Sequence, residues 1–182
     1  MRIVGKKLKA RAQDKGLSVE QLATAVERTG LSGGRAISAI NNWMRDRDHP
    51  RCKNEDVQAL AGAIGCEVAD IARFTSVFRY HRGSPRKTKL LTDLIRGKDF
   101  NTAMDLLSFN TKRAAVDVRK ALLAAFADAE QAEADGGALV VAESRVDNGP
   151  IVKRFQPKDR GRAHPILKRM AHITVGLEEK KS

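Results

Sequence analysis

A long basic ribbon near the C-terminus constrains this chain more than any other segment. Residues 149–175 read GPIVKRFQPKDRGRAHPILKRMAHITV, in which two arms with interleaved apolar and basic residues flank a polar tip. Between Gly149 and His172 there are seven Lys or Arg and one acid, Asp159. Arms of about ten residues would each reach about 30 Å at roughly 3.3 Å per residue. Since an isolated two-stranded ribbon is only marginally stable in water, we expect this one to need a partner.

The residues of the ribbon indicate that this partner is a polyanion. Cations that neutralise phosphates release condensed counterions, which favours binding. Gly161 lies between two arginines, where the missing side chain lets the backbone approach a ligand. Pro157 and Pro165 stiffen the tip from both sides. The alternative interpretation is an ordinary surface hairpin with solvated charges.

The whole chain has the same charge bias. Its 182 residues carry a formal net charge of +12, with a pI near 10.1. Nucleic acid is favoured over membrane as the anionic partner, because no apolar run approaches the roughly 18 residues of a transmembrane helix. The basic start lacks the apolar core of a signal peptide. With only two cysteines, the chain fits a reduced, cytoplasmic setting.

Neither catalysis nor metal binding is predicted. His49 and Cys52 are close in sequence, but no second ligand pair with zinc spacing follows. The chain contains no phosphate-binding loop of the G-x-x-x-x-G-K-[ST] type, no H-E-x-x-H and no G-x-S-x-G. The acids between positions 128 and 135 are interpreted as a solvated helix end. We expect no enzyme activity and no cofactor.

Residues 1–76 predict a small all-α domain. Ser18 and Gln21 form a capping-box pattern at one helix start, the glycines of Thr29–Gly34 predict a loop, and Gly65 is typical of a helix end. This order of helices resembles the helix-turn-helix domain of phage repressors, with LSVEQLATAV as the supporting helix and GRAISAINNWM as the recognition helix. The resemblance covers roughly Val4 to Phe74.

On that resemblance four side chains would face the major groove: Arg35, Ser38, Asn41 and Asn42. The glycine-rich loop is longer than the usual turn of three or four residues. The net charge of this half is only +4, from 13 basic and 9 acidic residues. We therefore favour the alternative, in which the small helical module is a packing or docking piece.

Residues 77–182 predict an α+β domain. The predicted elements are a strand near Val77–Tyr80, a helix that begins at Ser84–Pro85, two further helices, and a strand over Leu139–Val146. We expect Leu90, Leu91, Leu94 and Ile95 to form the buried stripe of the first of these helices. The fold class is then three helices on a small antiparallel sheet, with the residues at about 149–175 as a long β-hairpin that extends from it.

Three segments of this second half carry a family resemblance. They are SPRKTKLLTDLIRGK, AMDLLSFNTKRAAVDVRKALLAAFADAEQ and VDNGPIVKRFQPKDRGRAHPILKRMAHITV. From about Arg79 to its end, the chain resembles the universal large-subunit ribosomal protein family called L-twenty-two. The resemblance implies a structural ribosomal protein that binds large-subunit (23S-type) rRNA, supports its folding and assembly, and contacts neighbouring ribosomal proteins. It also implies that the hairpin lines the peptide exit tunnel and meets the nascent peptide.

The resemblance further implies which residues contact RNA. The tip would contribute Lys158, Arg160, Gly161 and Arg162, and the shafts Lys153, Arg154, Lys168 and Arg169. Ser84, Arg86 and Lys87 would meet RNA at a helix start, where free N–H groups also favour phosphate. Arg79, Arg82 and His172 complete the set, although His172 is equally well explained as a residue held by the sheet. We expect His81 to be a solvated strand residue.

Some features depart from the family pattern. Residues 1–75 are an addition, Asp159 interrupts a tip that should be purely basic, and Gln156 stands where a hydrophobic residue would be commoner. The alternative function is a DNA-binding transcriptional regulator that acts through the first half. A chain with both roles is a third, weaker hypothesis.

Overall fold

The computed structural model describes residues 1–28 and 30–180. Thr29, in the predicted glycine-rich loop, and the last two positions of the predicted second domain lie outside the described residues. The described chain is an α+β fold with two hydrophobic cores, one among the N-terminal helices and one between the later helices and a four-stranded antiparallel sheet.

The N-terminal unit, residues 1–71, is mostly helical. Its elements are β1 (Arg2–Ile3), α1 (Gly5–Asp14), α2 (Val19–Ala25), α3 (Gly34–Met44), α4 (Asn54–Ile64) and α5 (Val68–Ile71). The predicted capping box is confirmed, since the Gln21 N–H donates to Ser18 Oγ at 3.3 Å and the Ser18 N–H donates to Gln21 Oε1 at 2.9 Å. Gly65 ends α4 in the left-handed region, with φ of 71°. The fully buried Trp43, Leu22 and Leu60 lie at the centre of this core.

The prediction of an all-α first domain is wrong in one respect. Strand β1 pairs antiparallel with the start of β2 (Ala72–His81), with Arg2 opposite Arg73 and Ile3 opposite Ala72. A two-residue strand is too short to show a period of two in the sequence. Strand β2 also begins before the predicted Val77, so the position between residues 76 and 77 lies inside a continuous strand.

The second unit places three helices against the sheet. These are α6 (Pro85–Ile95), α7 (Phe100–Ser108) and α8 (Ala114–Glu130), and the sheet has the order β1-β2-β6-β3, with β3 at Leu139–Asn148 and β6 at Ala171–Glu179. Ile173, Val175 and Leu177 of β6 are buried in the same core as Leu122 of α8 and Leu91 of α6. This is the helix-on-sheet arrangement that the sequence predicted.

The buried face of α6 differs from the predicted one. Leu91 and Ile95 are buried, whereas Leu90 is 59% exposed and Leu94 is 40% exposed. Thr88 and Thr92 take the inward positions instead. Their hydroxyls donate to helix carbonyls, Thr88 to Ser84 O at 3.1 Å and Thr92 to Lys89 O at 3.0 Å. With the hydroxyl satisfied inside the helix, threonine can be buried without an unpaired polar group.

The ribbon continues strands β3 and β6 beyond the sheet, and we call residues 149–170 the finger. Its strands β4 (Val152–Pro157) and β5 (Ala163–Lys168) pair antiparallel. At its base, Asn148 lies opposite Ala171 and the Gly149 N–H donates to Met170 O at 2.9 Å. Three residues then face two before Val152 meets Lys168, so the finger begins at a β-bulge.

The two ends of β2 fix the layout of the molecule. Its first residues pair with β1, and its last residue, His81, lies opposite Ala171 where the finger begins. The eight steps from Arg73 to His81 span about 26 Å at about 3.3 Å per residue. The pairing with β1 and the base of the finger are therefore at opposite ends of the sheet.

Candidate nucleic-acid interface

The finger has no core of its own. Every residue of β5 is exposed, and in β4 only Val152 is partly covered. Even the large apolar side chains lie open, with Phe155 73% exposed and Leu167 47% exposed. A two-stranded ribbon with this exposure has little to stabilise it in isolation, so the expectation of an external partner follows from the structure as well.

The tip of the finger is a tight, cationic turn. Residues Asp159–Gly161 form a single 3-10 turn, and the Lys158 N–H donates to Arg162 O at 2.7 Å across its neck. Arg160 and Gly161 both have positive φ, 53° and 72°. In the part of the chain that the structure describes, no ion pair joins Asp159 to the cations beside it, so Lys158, Arg160 and Arg162 remain available to a ligand.

A basic cleft surrounds the start of α6. Ser84 is the N-cap residue, but its hydroxyl makes no capping hydrogen bond, and Pro85 follows at the first helical position. Proline has no N–H, and the Lys87 N–H already donates to Ser84 O at 3.1 Å, which leaves the Arg86 N–H of this turn to face an anion. The cleft is lined by the sequence-predicted Arg82, Ser84 and Lys87 together with Lys112 and Arg113 from the α7–α8 connection.

Sequence reasoning missed Lys112 and Arg113. The signal that identified Arg86 and Lys87, two adjacent cations at a helix start, was also present there, just before α8. What the sequence could not show is that the two helix starts lie on one cleft, because that proximity depends on how α8 packs on β2.

The prediction that His81 is solvated is wrong. Its side chain is 4% exposed, and its Nδ1 lies 2.7 Å from Asp117 Oδ2 on α8. A Cβ at Gly83 would overlap the His81 ring, so glycine is needed for the chain to close over it. This contact ties the end of β2 to α8 and thereby fixes the start of α6.

His172 has a partner within the sheet. Its Nδ1 accepts a hydrogen bond from the Tyr80 N–H at 3.1 Å, and the two rings meet edge to face with centroids 5.0 Å apart. Tyr80 has a positive φ of 59°, where the register between β2 and β6 shifts. Arg79 and Arg82, on either side of this irregularity, are exposed.

The predicted face of α3 is only partly free. Arg35, Ser38 and Asn41 are exposed, but Asn42 is half-buried and its side-chain amide donates to His49 O at 2.8 Å. Positions 26–33 separate α2 from α3, and the Gly33 N–H donates to Glu27 Oε1 at 3.0 Å. This connection is about twice as long as the usual turn of three or four residues.

Ion pairs cluster where the N-terminal unit meets the sheet. The Arg73 guanidinium contacts Glu178 Oε1 at 2.6 Å and Glu143 Oε2 at 2.7 Å. Burial lowers the pKa of Arg73, but hydrogen bonds to both glutamates outweigh this and raise the pKa above its ordinary value, so the group stays charged. Lys7 of α1 pairs with Glu178 at 3.1 Å and donates to Glu179 O at 3.3 Å.

The comparison with known families decides the assignment of the second unit. Residues 76–178 match the sequence profile of the family described as Ribosomal protein L22p/L17e. The chain belongs to the L22p/L17e family. The matched residues include most of β2, all of α6–α8, the finger and nearly all of β6.

Similar proteins support the L22 assignment. Three are named large ribosomal subunit protein uL22. The protein of Magnetococcus marinus is 49% identical over 100 residues, which are 54% of this chain and 88% of the relative. That of Desulfitobacterium hafniense is 48% identical over 107 residues, 58% of this chain and 94% of the relative. That of Clostridium acetobutylicum is 45% identical over 106 residues, which are 58% of this chain and 96% of the relative.

The L22 match confirms the resemblance read from the three sequence segments. Helices α1–α5 lie outside the matched residues, so the L22 match does not test the helix-turn-helix resemblance. The alternative of a DNA-binding regulator gains no support from these relatives. In the described ranges no helix is long and apolar enough to cross a membrane, and no group of three or more His, Cys, Asp or Glu is placed to hold a metal ion.

Proposed function

We propose that this chain is a structural constituent of the large ribosomal subunit. It binds large-subunit (23S-type) rRNA in the cytoplasm, supports rRNA folding and assembly, and has no enzymatic role. The observation that carries the proposal is the exposed, unpaired cationic finger on a domain of the L22 family. RNA held in this way is recognised by shape, phosphates and 2′-hydroxyls more than by base sequence.

The finger supplies the central contact. Lys158, Arg160 and Arg162 bind phosphates at the tip, where the left-handed Gly161 lets the backbone come close. Along the shafts the phosphate contacts are made by Lys153, Arg154, Lys168 and Arg169. Arg residues bind phosphate through a planar fork and Lys as a mobile point charge. The exposed Phe155 and Leu167 cover RNA or neighbouring protein surface once the finger is embedded.

The cleft at the start of α6 supplies a second contact near the base of the finger. Ser84 and Lys87 bind phosphate there together with Lys112 and Arg113, which line the same cleft. The exposed Arg86 binds phosphate beside the cleft, at the start of the helix. Arg79, Arg82 and His172 extend this surface along the end of β2. Because the cleft and the finger lie at the same end of the sheet, one folded RNA region can engage both.

The reach of the finger supports a role in the peptide exit tunnel. The eight steps from position 149 to position 157 span about 26 Å at about 3.3 Å per residue. A finger of that length, anchored by the globular part, lines the tunnel wall and meets the nascent peptide and neighbouring ribosomal proteins.

Residues 1–76 and 77–182 act as two domains. The first is a helix-turn-helix-like module whose exposed Arg35, Ser38 and Asn41 serve docking.

Charge reversal at the tip tests the proposal. The double variant Arg160→Glu/Arg162→Glu is expected to bind rRNA more weakly, with the slope of log K against log salt reduced by about 1.4, at about 0.7 per lost phosphate contact. Its large-subunit fraction in a sucrose gradient should fall, while its unfolding free energy changes by less than about 0.5 kcal/mol because the site is exposed. The matched control, Lys9→Glu/Lys15→Glu at exposed positions in α1 and directly after it, should sediment like the unmodified chain. Normal incorporation and unchanged tip protections in the double variant would refute the role of the tip.

A further inference from the structure

We propose that the loop between α3 and α4, positions 45–53, is a second RNA-binding surface, formed before RNA binds. We call these residues the basic loop; they read RDRDHPRCK. The inference goes beyond the role of the finger, because it assigns a polyphosphate ligand to the N-terminal unit, which lies outside the L22 match. It places that ligand on the basic loop and away from the α3 face at Arg35, Ser38 and Asn41.

The basic loop carries four cations and two acids. Both acids are exposed, but each accepts a backbone hydrogen bond: the Gly5 N–H donates to Asp46 Oδ1 at 2.8 Å and the Cys52 N–H donates to Asp48 Oδ1 at 3.0 Å. The cations Arg45, Arg47 and Arg51 are also exposed. Within the described residues none of the three forms an ion pair. The acids of the loop are therefore engaged by backbone N–H groups, and its three guanidinium groups are available to an anion.

The backbone of the basic loop is held by the helix before it. The Asn42 side chain donates to His49 O and the Trp43 indole N–H donates to Pro50 O, both at 2.8 Å. The Arg47 N–H donates to Asn42 O at 2.9 Å. A loop fixed in this way loses little conformational freedom when a ligand binds, which strengthens binding for the same contacts. A basic loop without such anchors would be an ordinary solvated segment.

The basic loop also has a fixed place in the whole molecule. Arg2 of β1 donates to Asp46 O at 3.1 Å, and Arg2 pairs with Arg73 in the sheet. The loop therefore lies at the β1 end, about 26 Å along β2 from the base of the finger at about 3.3 Å per residue. If the finger is embedded in rRNA, the loop meets a separate rRNA segment. Anchoring by the finger would raise the effective RNA concentration at the loop.

Phosphate is the ligand chemistry that fits three exposed guanidinium groups without ion-pair partners on one short loop. Each can form two parallel hydrogen bonds with a phosphate. Arg is also more weakly hydrated than Lys, which lowers the cost of binding phosphate. The arrangement does not require a base sequence, so the partner is the backbone of structured rRNA. An acidic ribosomal protein is the competing partner that the experiment must separate.

The test uses the full-length chain and 23S-type rRNA from the same source, with hydroxyl-radical footprinting of the RNA backbone. Arg45→Glu/Arg47→Glu/Arg51→Glu is compared with Lys9→Glu/Lys15→Glu/Lys120→Glu, which changes the charge equally at exposed positions elsewhere. We expect the loop variant to lose one discrete set of protections and about 2 units of salt slope, at about 0.7 per phosphate. The control variant and an Arg→Lys triple variant of the loop should keep those protections.

Two results would overturn the inference. One is a loop variant with the same protections as the unmodified chain; the other is loss of the same protections in the control variant. Cross-linking of the loop to a protein in the assembled subunit, with rRNA protections unchanged, would also reject it in favour of a protein partner. An error in the role proposed for the finger can be distinguished from an error in the role proposed for the basic loop. It would appear as missing finger protections in the unmodified chain. Intrinsic fluorescence of Trp43, the single tryptophan, confirms that each variant is folded.

Discussion

At the scale of single residues, the most sensitive contact is the ion pair between Arg28 and Asp56. Arg28 Nε and Nη2 donate to the two carboxylate oxygens at 2.9 and 3.1 Å. Asp56 is 2% exposed and also accepts the Lys53 N–H at 2.8 Å, at the start of α4. The pair thus joins the α2–α3 connection to α4 across the N-terminal core.

Arg28→Ala would leave the Asp56 carboxylate buried without its counter-charge. We expect the free energy of unfolding to fall by about 3 kcal/mol, since removing one partner of a buried pair is strongly destabilising. Urea denaturation, monitored by Trp43 fluorescence, measures this free energy of unfolding. Arg35→Ala, at an exposed position without a partner, serves as the control and should change stability by less than about 0.5 kcal/mol. Equal midpoints for the two variants would show that the pair contributes nothing.

Cys52 supplies a prediction for pH. Burial, followed by the nearby carboxylates of Asp56 and Asp48, raises the pKa of its thiol from 9.0 to about 12. The pKa of the Cys52 thiol is higher in the folded chain than in the unfolded chain. The free energy of unfolding that this difference contributes is therefore fully present below pH 9 and is lost as the pH rises toward 12. In a Cys66→Ala background, labelling by a maleimide at pH 8 should be about 1000-fold slower in the folded chain than in urea, because the thiolate is the reactive form. Comparable rates in both states would contradict this burial.

At the scale of elements, the base of the finger is the critical junction. A Cβ at Gly149 would lie 3.1 Å from the backbone carbonyl of Met170, at the point where the sheet passes into the finger through the bulge. We expect the close approach of the two strands there to set the direction of the finger, which under the proposed function decides the rRNA groove that the tip reaches.

Gly149→Val should therefore change the direction of the finger without unfolding the domain. We expect weaker incorporation into large subunits, measured by sedimentation, together with a loss of unfolding free energy of about 1–3 kcal/mol from overpacking. Ala163→Val, on the exposed part of β5, adds similar bulk away from the junction and should assemble normally. Normal assembly of the Gly149 variant would show that the direction is set elsewhere.

The elements also show what could be read from the sequence. Local signals succeeded: Ser84–Pro85 marked the start of α6, Gly65 the end of α4, and the basic ribbon is a β-hairpin. Signals that depend on distant partners failed. His81 is buried because Asp117 lies on α8, and Thr88 is buried in place of Leu90 because of the way α6 packs on β3. The short strand β1 exists only through its pairing with β2.

At the scale of the whole molecule, one residue joins the two units. Arg73 lies in β2, pairs with Arg2 of β1, and contacts Glu143 and Glu178. Gly176 makes room for its side chain, since a Cβ there would lie 2.8 Å from Arg73 Cδ. Without Arg73, two partly buried glutamates would face each other beside the attachment of the N-terminal unit.

Arg73→Ala should loosen this attachment more than it unfolds either core. Amide hydrogen exchange is expected to speed up about tenfold or more at Val4, whose N–H donates to Ile71 O at 2.9 Å, while Trp43 fluorescence stays native. Arg73→Lys keeps one charge contact, so its exchange rate at Val4 should lie between those of the unmodified chain and Arg73→Ala. Unchanged exchange at Val4 would mean that β1 and the Lys7 contacts suffice to hold the unit.

The central claim is that the finger is embedded in folded rRNA of the large subunit. A high-resolution cryo-electron microscopy map of that subunit, purified from the source organism after a moderate salt wash, tests it most directly. We expect continuous density for residues 149–170 between rRNA strands, with phosphates beside Arg160 and Arg162. A particle in which that groove is empty or holds another polypeptide would contradict it.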